Sequence, residues 1–245
     1  MRTEKREREL VEPPGISCIL QKAQEWGVTI KIMVIGGQAV LGYCGRIRTS
    51  KDTDAVSPNE DTGLLIDLLS ECGFDVERST FGLRCKRQRN GDWDVIHISL
   101  GDIADESRGE GNVLRYPVPA SSYAEAVELP LQGLVLDKAT PPPMAPVLPL
   151  EDLIITKILP VGRTTDMEDV VLLLVTAVEQ ISLDKIVAKI RDLEELKPAI
   201  LERLEDLAEF ILEHQIGTTW LGRPWTPAER TRVLRFIRKL NSQVQ

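Results

Sequence analysis

A chain of 245 residues can form one large domain or two small ones, and its 42% hydrophobic and 28% charged residues are ordinary for a globular protein. The net charge of −8 gives no overall basic field to attract nucleic acid, so such a contact would need a local patch. The N-terminal sequence MRTEKRERELVE is too charged for a signal peptide, and the longest apolar runs fall short of the ~20 residues that span a bilayer. We therefore expect a soluble, cytoplasmic protein without membrane contact.

The cysteine and histidine content limits the metal chemistry that the chain can support. The cysteines are scattered, with no Cys-x-x-Cys pair, which predicts reduced thiols rather than a disulfide framework or a zinc site. Two histidines exclude a histidine-rich metal centre, and His97, within an apolar strand pattern, is expected to be structural rather than catalytic. The cysteines are Cys18, Cys44, Cys72 and Cys85.

The first hundred residues predict alternating helices and strands. A helix over 4–26, interrupted near Pro13, precedes the apolar strand IKIMVI, which ends at Gly36-Gly37. A short helix, QAVLGYC, a brief strand, TDAVS, and an amphipathic helix, NEDTGLLIDLLSECG, follow. The segments FDVERST, LRCKRQR and WDVIHISL have strand patterns, with the hairpin signal Asn90-Gly91 before the last of them. This order predicts a small mixed β-sheet with helices packed on it.

The rest of the chain is predicted to be mostly helical. Residues 101–112 are polar and glycine-rich, which indicates a mobile surface loop, and residues 123–137 resume short β-like runs. The proline-rich stretch 139–149 is expected to be a stiff connector. Beyond it, several segments with helical spacing begin after Pro, Ser, Asp or Thr, as helices commonly do. We expect the fold class α+β, with one unit over 1–138 and a C-terminal helical bundle over 150–245.

Two glycines and two aspartates in VIGGQAVLGYCGRIRTSKDTDAV form the first candidate site. Gly36-Gly37 lies between a strand and a helix, where the backbone can approach a ligand closely and helix-start N–H groups favour phosphate. In an extended segment Asp52 and Asp54 point to one face, and such a pair suits Mg²⁺. Taken separately, an ordinary turn and a solvated loop explain the same residues.

The order of these pieces resembles the nucleotidyltransferase superfamily with the polymerase-β-type fold. That motif runs strand, GG, helix and R-x-S/T-x-D-x-D, and this chain reads R-T-S-K-D-T-D. The resemblance implies a third carboxylate on a later strand, which we expect to be Asp94 because it is in phase with Ile96 and Ile98, whereas Asp92 belongs to the turn. The implied site residues are Gly36, Gly37, Arg48, Ser50, Asp52, Asp54 and Asp94.

A second segment, LPLEDLIITKILPVGRTTDMEDVVLLL, resembles the AbiEii-type and related nucleotidyltransferases. In that pattern a helix with a lysine precedes a helix with an arginine and two aspartates, which map to Lys157, Arg163, Asp166 and Asp169. The resemblance implies that Lys157 contacts a nucleotide phosphate and that Asp166 positions active-site groups. The long stem of Lys157 would pack on isoleucines, so replacing Lys157 should leave the stability of the fold unchanged. Salt bridges on a bundle surface are the other explanation, above all for Arg163 and Asp169.

Together the two resemblances imply a Mg²⁺-dependent enzyme. Asp52, Asp54 and Asp94 would hold two Mg²⁺ ions, and a nucleotide monophosphate would pass from an NTP to a hydroxyl of tRNA, protein or a small molecule, with release of pyrophosphate. Residues 1–138 would be the catalytic core, and residues 150–245 would complete its active site. AbiEii-type relatives are toxins, which implies a possible antitoxin partner. The alternatives are a catalytically inactive module that binds nucleotide or a partner, and an α+β scaffold that binds structural Ca²⁺.

Overall fold

The computed structural model describes residues 15–45, 52–89, 92–105, 107–109, 111–131, 142–213 and 223–245. Seven of the described strands form a main sheet in the order β3-β4-β5-β2-β1-β9-β8, and β6 and β7 form a separate pair. Strand β1 is antiparallel to β2 and parallel to β9, and β2 is parallel to β5. The strands are β1 (Met33–Ile35), β2 (Asp52–Ser57), β3 (Asp75–Ser79), β4 (Gly82–Arg89), β5 (Asp92–Leu100), β6 (Asp102–Asp105), β7 (Leu114–Pro117), β8 (Val127–Pro130) and β9 (Met144–Val147).

The helices pack on the sheet and on one another. Helix α1 packs against α3 and β5, and α2 joins the sheet to α5 and α6. Helix α5 also contacts α7 and α8, and α9 contacts α6, α7 and α8, so the predicted bundle is present in part. The described helices are α1 (Gly15–Trp26), α2 (Gly36–Cys44), α3 (Thr62–Glu71), α4 (Ala120–Ala124), α5 (Leu150–Ile158), α6 (Thr164–Thr176), α7 (Leu183–Arg191), α8 (Lys197–Glu213) and α9 (Pro227–Val244).

The two faces of the main sheet differ in their surroundings. Thr53 of β2 and its β5 partner Ile96 are buried, and Gly15 of α1 lies directly against Ile96, so we call this the helix face. Because side chains alternate along a strand, Asp54 and its partner His97 lie on the second face. The mixed sheet flanked by helices, expected from the sequence, is confirmed.

Three local expectations are wrong. The predicted loop over 101–112 contains β6, which pairs with β7. Residues 144–147 of the predicted connector form β9, where Ala145 and Val147 are fully buried beside β1. Cys18 and Cys72 form a disulfide, with their Cα atoms 6.0 Å apart, because the packing of α1 on α3 brings together residues that are 54 positions apart.

Within the described ranges, none of the helices combines the length and the apolar character needed to cross a lipid bilayer. The domain limits that we expect from the sequence remain predictions.

Candidate active site

The glycine turn is a close junction between β1 and α2. Strand β1 ends at Ile35 and the helix begins at Gly36, whose φ is +67°. A Cβ atom on Gly36 would lie 2.5 Å from Oδ2 of Asp54, so a larger residue would meet both backbone strain and a collision. The turn therefore packs directly against an acidic side chain, which explains why glycine is required there.

Asp52 and Asp54, the acidic pair, lie on the second face of the sheet. In β2, Asp54 is opposite Ile35 of β1 and His97 of β5. Thr53, between the two acids, points to the helix face and donates a hydrogen bond to Gln38 of α2 at 3.3 Å. Asp52 is exposed and the Asp54 side chain is 44% exposed, so both carboxylates are accessible. The strand thus presents the pair on one face, as the spacing predicts.

His97 belongs to the same site, although we expected it to be structural. Its Nδ1 atom lies 3.5 Å from Oδ1 of Asp54, and its side chain is 44% exposed. The hydrogen bond to Asp54 raises the pKa of His97, burial opposes that rise, and the charges of the acidic pair add to it. The pattern of β5 could have indicated this position, because His97 is out of phase with the buried Ile96.

The position of Asp94 corrects our expectation for the third carboxylate. Asp94 shares the helix face with Ile96, and its Oδ2 atom accepts hydrogen bonds from Nε and Nη2 of Arg87, at 3.1 and 3.0 Å, and from the backbone N–H of Gly15, at 3.1 Å. Arg87 also donates to the carbonyl of Cys72 at 2.7 Å. The predicted phase with the isoleucines is therefore right, but that phase points away from the acidic pair.

The second motif forms a partly buried ion cluster between α5 and α6. The Nζ atom of Lys157 lies 2.6 Å from Oδ1 of Asp166 and 3.0 Å from Oδ2 of Asp169, and Arg163 Nε lies 3.2 Å from Oδ2 of Asp166. Both carboxylates are buried, whereas the Arg163 side chain is 62% exposed. Burial alone would lower the pKa of Lys157, but the charges of Asp169 and Asp166 outweigh it and raise the pKa. We call these four residues the Lys157 cluster.

One cavity of about 240 Å³ brings the two motifs together. The sheet contributes the glycine turn, the second acid of the pair and the histidine, and the helical part contributes three members of the Lys157 cluster. Two residues from the β6–β7 pair and one from the end of β5 complete the polar walls. These residues are Gly36, Asp54, His97, Lys157, Arg163, Asp166, Asp105, Tyr116 and Ser99.

The remaining predicted residues are placed differently. Gly37 lies in the first turn of α2, Asp52 lies on β2 outside the cavity wall, and Asp94 lies across the sheet. Arg48 and Ser50 lie outside the described residues. The sequence reasoning missed Asp105 because it lies in a segment that we expected to be a polar loop; the short alternation in DIAD was the available signal.

The donors in the site fit Mg²⁺ only in part. Among the residues that the structure describes, no group of three or more His, Cys, Asp or Glu side chains is arranged to hold a metal ion. Mg²⁺, however, is commonly held by one or two carboxylates together with water and substrate phosphates. The acidic pair supplies such oxygens, whereas the expected third ligand is missing from this face.

No protein-family model and no curated protein matches the chain. Among solved structures, the chain is similar to ANT(2'')-Ia in complex with adenylyl-2''-tobramycin, with 20% identity, 71% of this chain and 91% of that chain covered, and a TM-score of 0.45. It is similar to JHP933 from Helicobacter pylori, with 11% identity, 93% and 89% covered, and a TM-score of 0.46. It is similar to the lincosamide antibiotic adenylyltransferase LnuA, lincomycin-bound, with 18% identity, 63% and 91% covered, and a TM-score of 0.38. Similarities of this size do not establish a family.

Proposed function

We propose that this protein is a nucleotidyltransferase that moves a nucleotide monophosphate from an NTP to an acceptor hydroxyl. One observation supports the proposal above all: the glycine turn at the start of α2 packs against Asp54 and lines the same cavity as Lys157. A phosphate-binding backbone, a metal-binding carboxylate and a cation are thereby adjacent, although the chain carries them in two segments more than a hundred positions apart.

The start of α2 supports phosphate binding. Its N-cap residue, Ile35, offers no side-chain hydrogen bond to the first turn, and backbone N–H groups at a helix start such as Gly36 and Gly37 favour an anion. Lys157 stays protonated because its pKa is raised, and the more exposed Arg163 lines the same cavity. We assign the β- and γ-phosphates to this region. Arg48 and Ser50 remain further phosphate ligands implied by the motif.

The acidic pair would hold Mg²⁺ together with the phosphates of the nucleotide. When bound, the ion would supply charge stabilisation at the reacting phosphate and the leaving pyrophosphate. With Asp94 across the sheet, we assign one ion to Asp52 and Asp54 and no second ion to Asp94. In the reaction the acceptor oxygen bonds to the α-phosphorus, the bond to the bridging oxygen of pyrophosphate breaks, and the hydroxyl proton is released.

A second candidate function is a module that binds nucleotide without transferring it. The position of Asp94 favours it, because an acceptor hydroxyl would lack the third carboxylate that the family resemblance implies. Both candidates bind the nucleotide phosphates at the glycine turn and Lys157, and they differ only in whether the nucleotide is transferred. A binding measurement combined with a transfer measurement therefore separates them.

The test combines binding with transfer. The chain is incubated with each α-labelled NTP and Mg²⁺ and, separately, with tRNA, a protein extract, tobramycin or lincomycin. We expect label in one fraction, loss of that label in Asp54→Asn, and normal transfer in Asp75→Asn, whose exposed carboxylate lies on β3 far along the sheet. Binding of Mg–NTP without transfer would favour the inactive module, and absence of binding would contradict both.

The resemblance of the second motif also supports a narrower proposal, a cytoplasmic toxin with an antitoxin partner. In this reading residues 150–245 complete the active site of a core over 1–138. Induced expression of the wild-type chain should then stop growth, whereas the Asp54→Asn variant should not. Equal growth of both strains would contradict the toxin proposal and leave nucleotide transfer to be judged by the direct assay.

A further inference from the structure

Asp54 and His97 are two donor side chains that face each other in the cavity wall. They are direct partners on the parallel strands β2 and β5, so the sheet holds both side chains on one face. The Nδ1 atom of His97 lies 3.5 Å from Oδ1 of Asp54, and each side chain is 44% exposed. Both donors are therefore open to a ligand, in contrast to the buried carboxylates of the Lys157 cluster.

The separation of these two atoms suits a shared metal ion. Neighbouring ligands of an octahedral ion with bonds of about 2.1 Å lie about 3.0 Å apart, so a movement of about 0.5 Å would let one ion contact both atoms. Half-exposed side chains can make such a movement. A metal ligand must be deprotonated, so the ion would take the place of the proton between Nδ1 and Oδ1.

The remaining positions around such an ion would be filled by the nucleotide. The glycine turn packs against Asp54, and Lys157 lines the same cavity, so phosphates bound there would lie beside the pair. Oxygens of phosphate and water commonly complete the coordination of ions that proteins bind together with nucleotides. Two protein donors, which would be too few for a closed metal site, are therefore sufficient here.

The imidazole changes which metal ion the face prefers. Asp94, which was expected to supply a third carboxylate, is held on the helix face by Arg87. The face that lines the cavity thus carries the acidic pair and one imidazole instead of three carboxylates. Mg²⁺ is a hard ion that prefers oxygen ligands, whereas imidazole nitrogen is a common ligand of transition-metal ions. A nitrogen among the oxygens therefore favours a transition-metal ion over Mg²⁺.

We propose that His97 is a metal ligand through its Nδ1 atom, and that the site binds a divalent transition-metal ion such as Mn²⁺ in preference to Mg²⁺. The inference rests on the proposed function, because the phosphates of the nucleotide supply the other ligands. It concerns the identity of the ion and one of its ligands, and it leaves the transferred group unchanged.

The test detects the nitrogen ligand directly on the full chain. Mn²⁺ is bound in the presence of inorganic tripolyphosphate, which contains no nitrogen, and nitrogen modulation of the electron spin echo then reports a nitrogen ligand from the protein. His97→Gln replaces the imidazole with an amide, and His214→Gln is the matched control because it removes the other histidine of the chain. Isothermal titrations with Mn–tripolyphosphate and with Mg–tripolyphosphate compare the two ions.

We expect nitrogen modulation in the wild type and in His214→Gln, and its loss in His97→Gln. The wild type should bind Mn–tripolyphosphate more tightly than Mg–tripolyphosphate, and this preference should fall about tenfold or more in His97→Gln, because the loss of a second-shell partner already costs about tenfold in metal affinity. The metal-free Tm of His97→Gln should stay close to that of the wild type, since the side chain is half exposed.

The inference would be overturned by Mn²⁺ binding without nitrogen modulation, by modulation that persists in His97→Gln or disappears in His214→Gln, or by an equal preference for Mn²⁺ in the wild type and His97→Gln. The Mg–tripolyphosphate titration reports on the proposed function separately. If this complex binds while nitrogen modulation is absent, only the assignment of His97 fails. If neither complex binds, the metal and phosphate site of the proposed function fails as well.

Discussion

Replacing Lys157 with Met should destabilise the fold strongly, in contrast to what the sequence alone predicts. The Lys157 ammonium lies between Asp166 and Asp169, whose side chains are 5% and 2% exposed. Methionine keeps most of the apolar stem but removes the charge. Asp166 would then keep its ion pair with Arg163, whose side chain is mostly exposed, and Asp169 would lose its ion pair with Lys157.

The expected loss is about 3–5 kcal/mol, the usual cost of leaving one member of a buried ion pair without its partner. For a domain of this length that corresponds to a fall in Tm of about 6–20 °C. Lys86, which lies 3.6 Å from Asp75 in an exposed pair, provides the matched control, and Lys86→Met should cost about 1 kcal/mol or less.

Urea denaturation followed by circular dichroism measures the free energy of unfolding of both variants. Adding Asp169→Asn to Lys157→Met should recover part of the loss, because it removes one uncompensated buried charge. The reasoning would be refuted if Lys157→Met and Lys86→Met lost similar, small amounts of stability, or if the added Asp169→Asn substitution made the Lys157 variant less stable still.

Three further predictions follow from the geometry. Gly36→Ala should lose about 1–3 kcal/mol of stability, because its backbone is left-handed and its Cβ atom would collide with Asp54, and it should also lose nucleotide binding. Gly63→Ala, which has open space in α3, should instead be stabilised by about 0.5–1 kcal/mol, and thermal melts and nucleotide titrations check both variants. Asp94→Asn should destabilise the chain by about 3–5 kcal/mol because it uncouples the buried Arg87, yet the folded fraction should transfer nucleotide at a near-normal rate; a lost rate with intact stability would contradict the assignment of Asp94 to the helix face. A neighbouring guanidinium and the helix-capping backbone lower the pKa of Glu229 to about 2. The stability that this carboxylate contributes is therefore present above its unfolded pKa of 4.5 and is lost as the pH falls toward 2. Thermal melts from pH 6 to 2 should show this loss in the wild type and not in Glu229→Gln.

The acidic pair and the second motif could be found from the sequence because their chemistry depends on local spacing. Two residues apart in a strand, Asp52 and Asp54 must share a face whatever the rest of the fold does. The glycine turn is equally local, since a strand that runs directly into a helix needs an unusual backbone conformation at the junction. These features do not depend on tertiary packing, so the sequence pattern was sufficient to predict them.

The third carboxylate and the disulfide could not be found in the same way. The alternation of β5 groups Asp94 with Ile96, but only the packing of α1 decides which face of the sheet that group occupies. Cys18 and Cys72 are likewise joined by the contact of two helices, with no signal in their spacing. The sequence did not predict Asp105 as a site residue, because the glycines and charged residues around it indicate a loop and the strand that it ends has only four residues.

The position of the label in the transferred group tests the central proposal most directly. Two preparations of the same NTP, one labelled at the α-phosphorus and the other at the γ-phosphorus, are incubated with the chain, Mg²⁺ and the acceptor fraction. Nucleotidyl transfer predicts that the α label becomes attached to the acceptor while the γ label appears only in pyrophosphate. Attachment of the γ label, or failure of the α label to leave the nucleotide with every acceptor, would contradict the account.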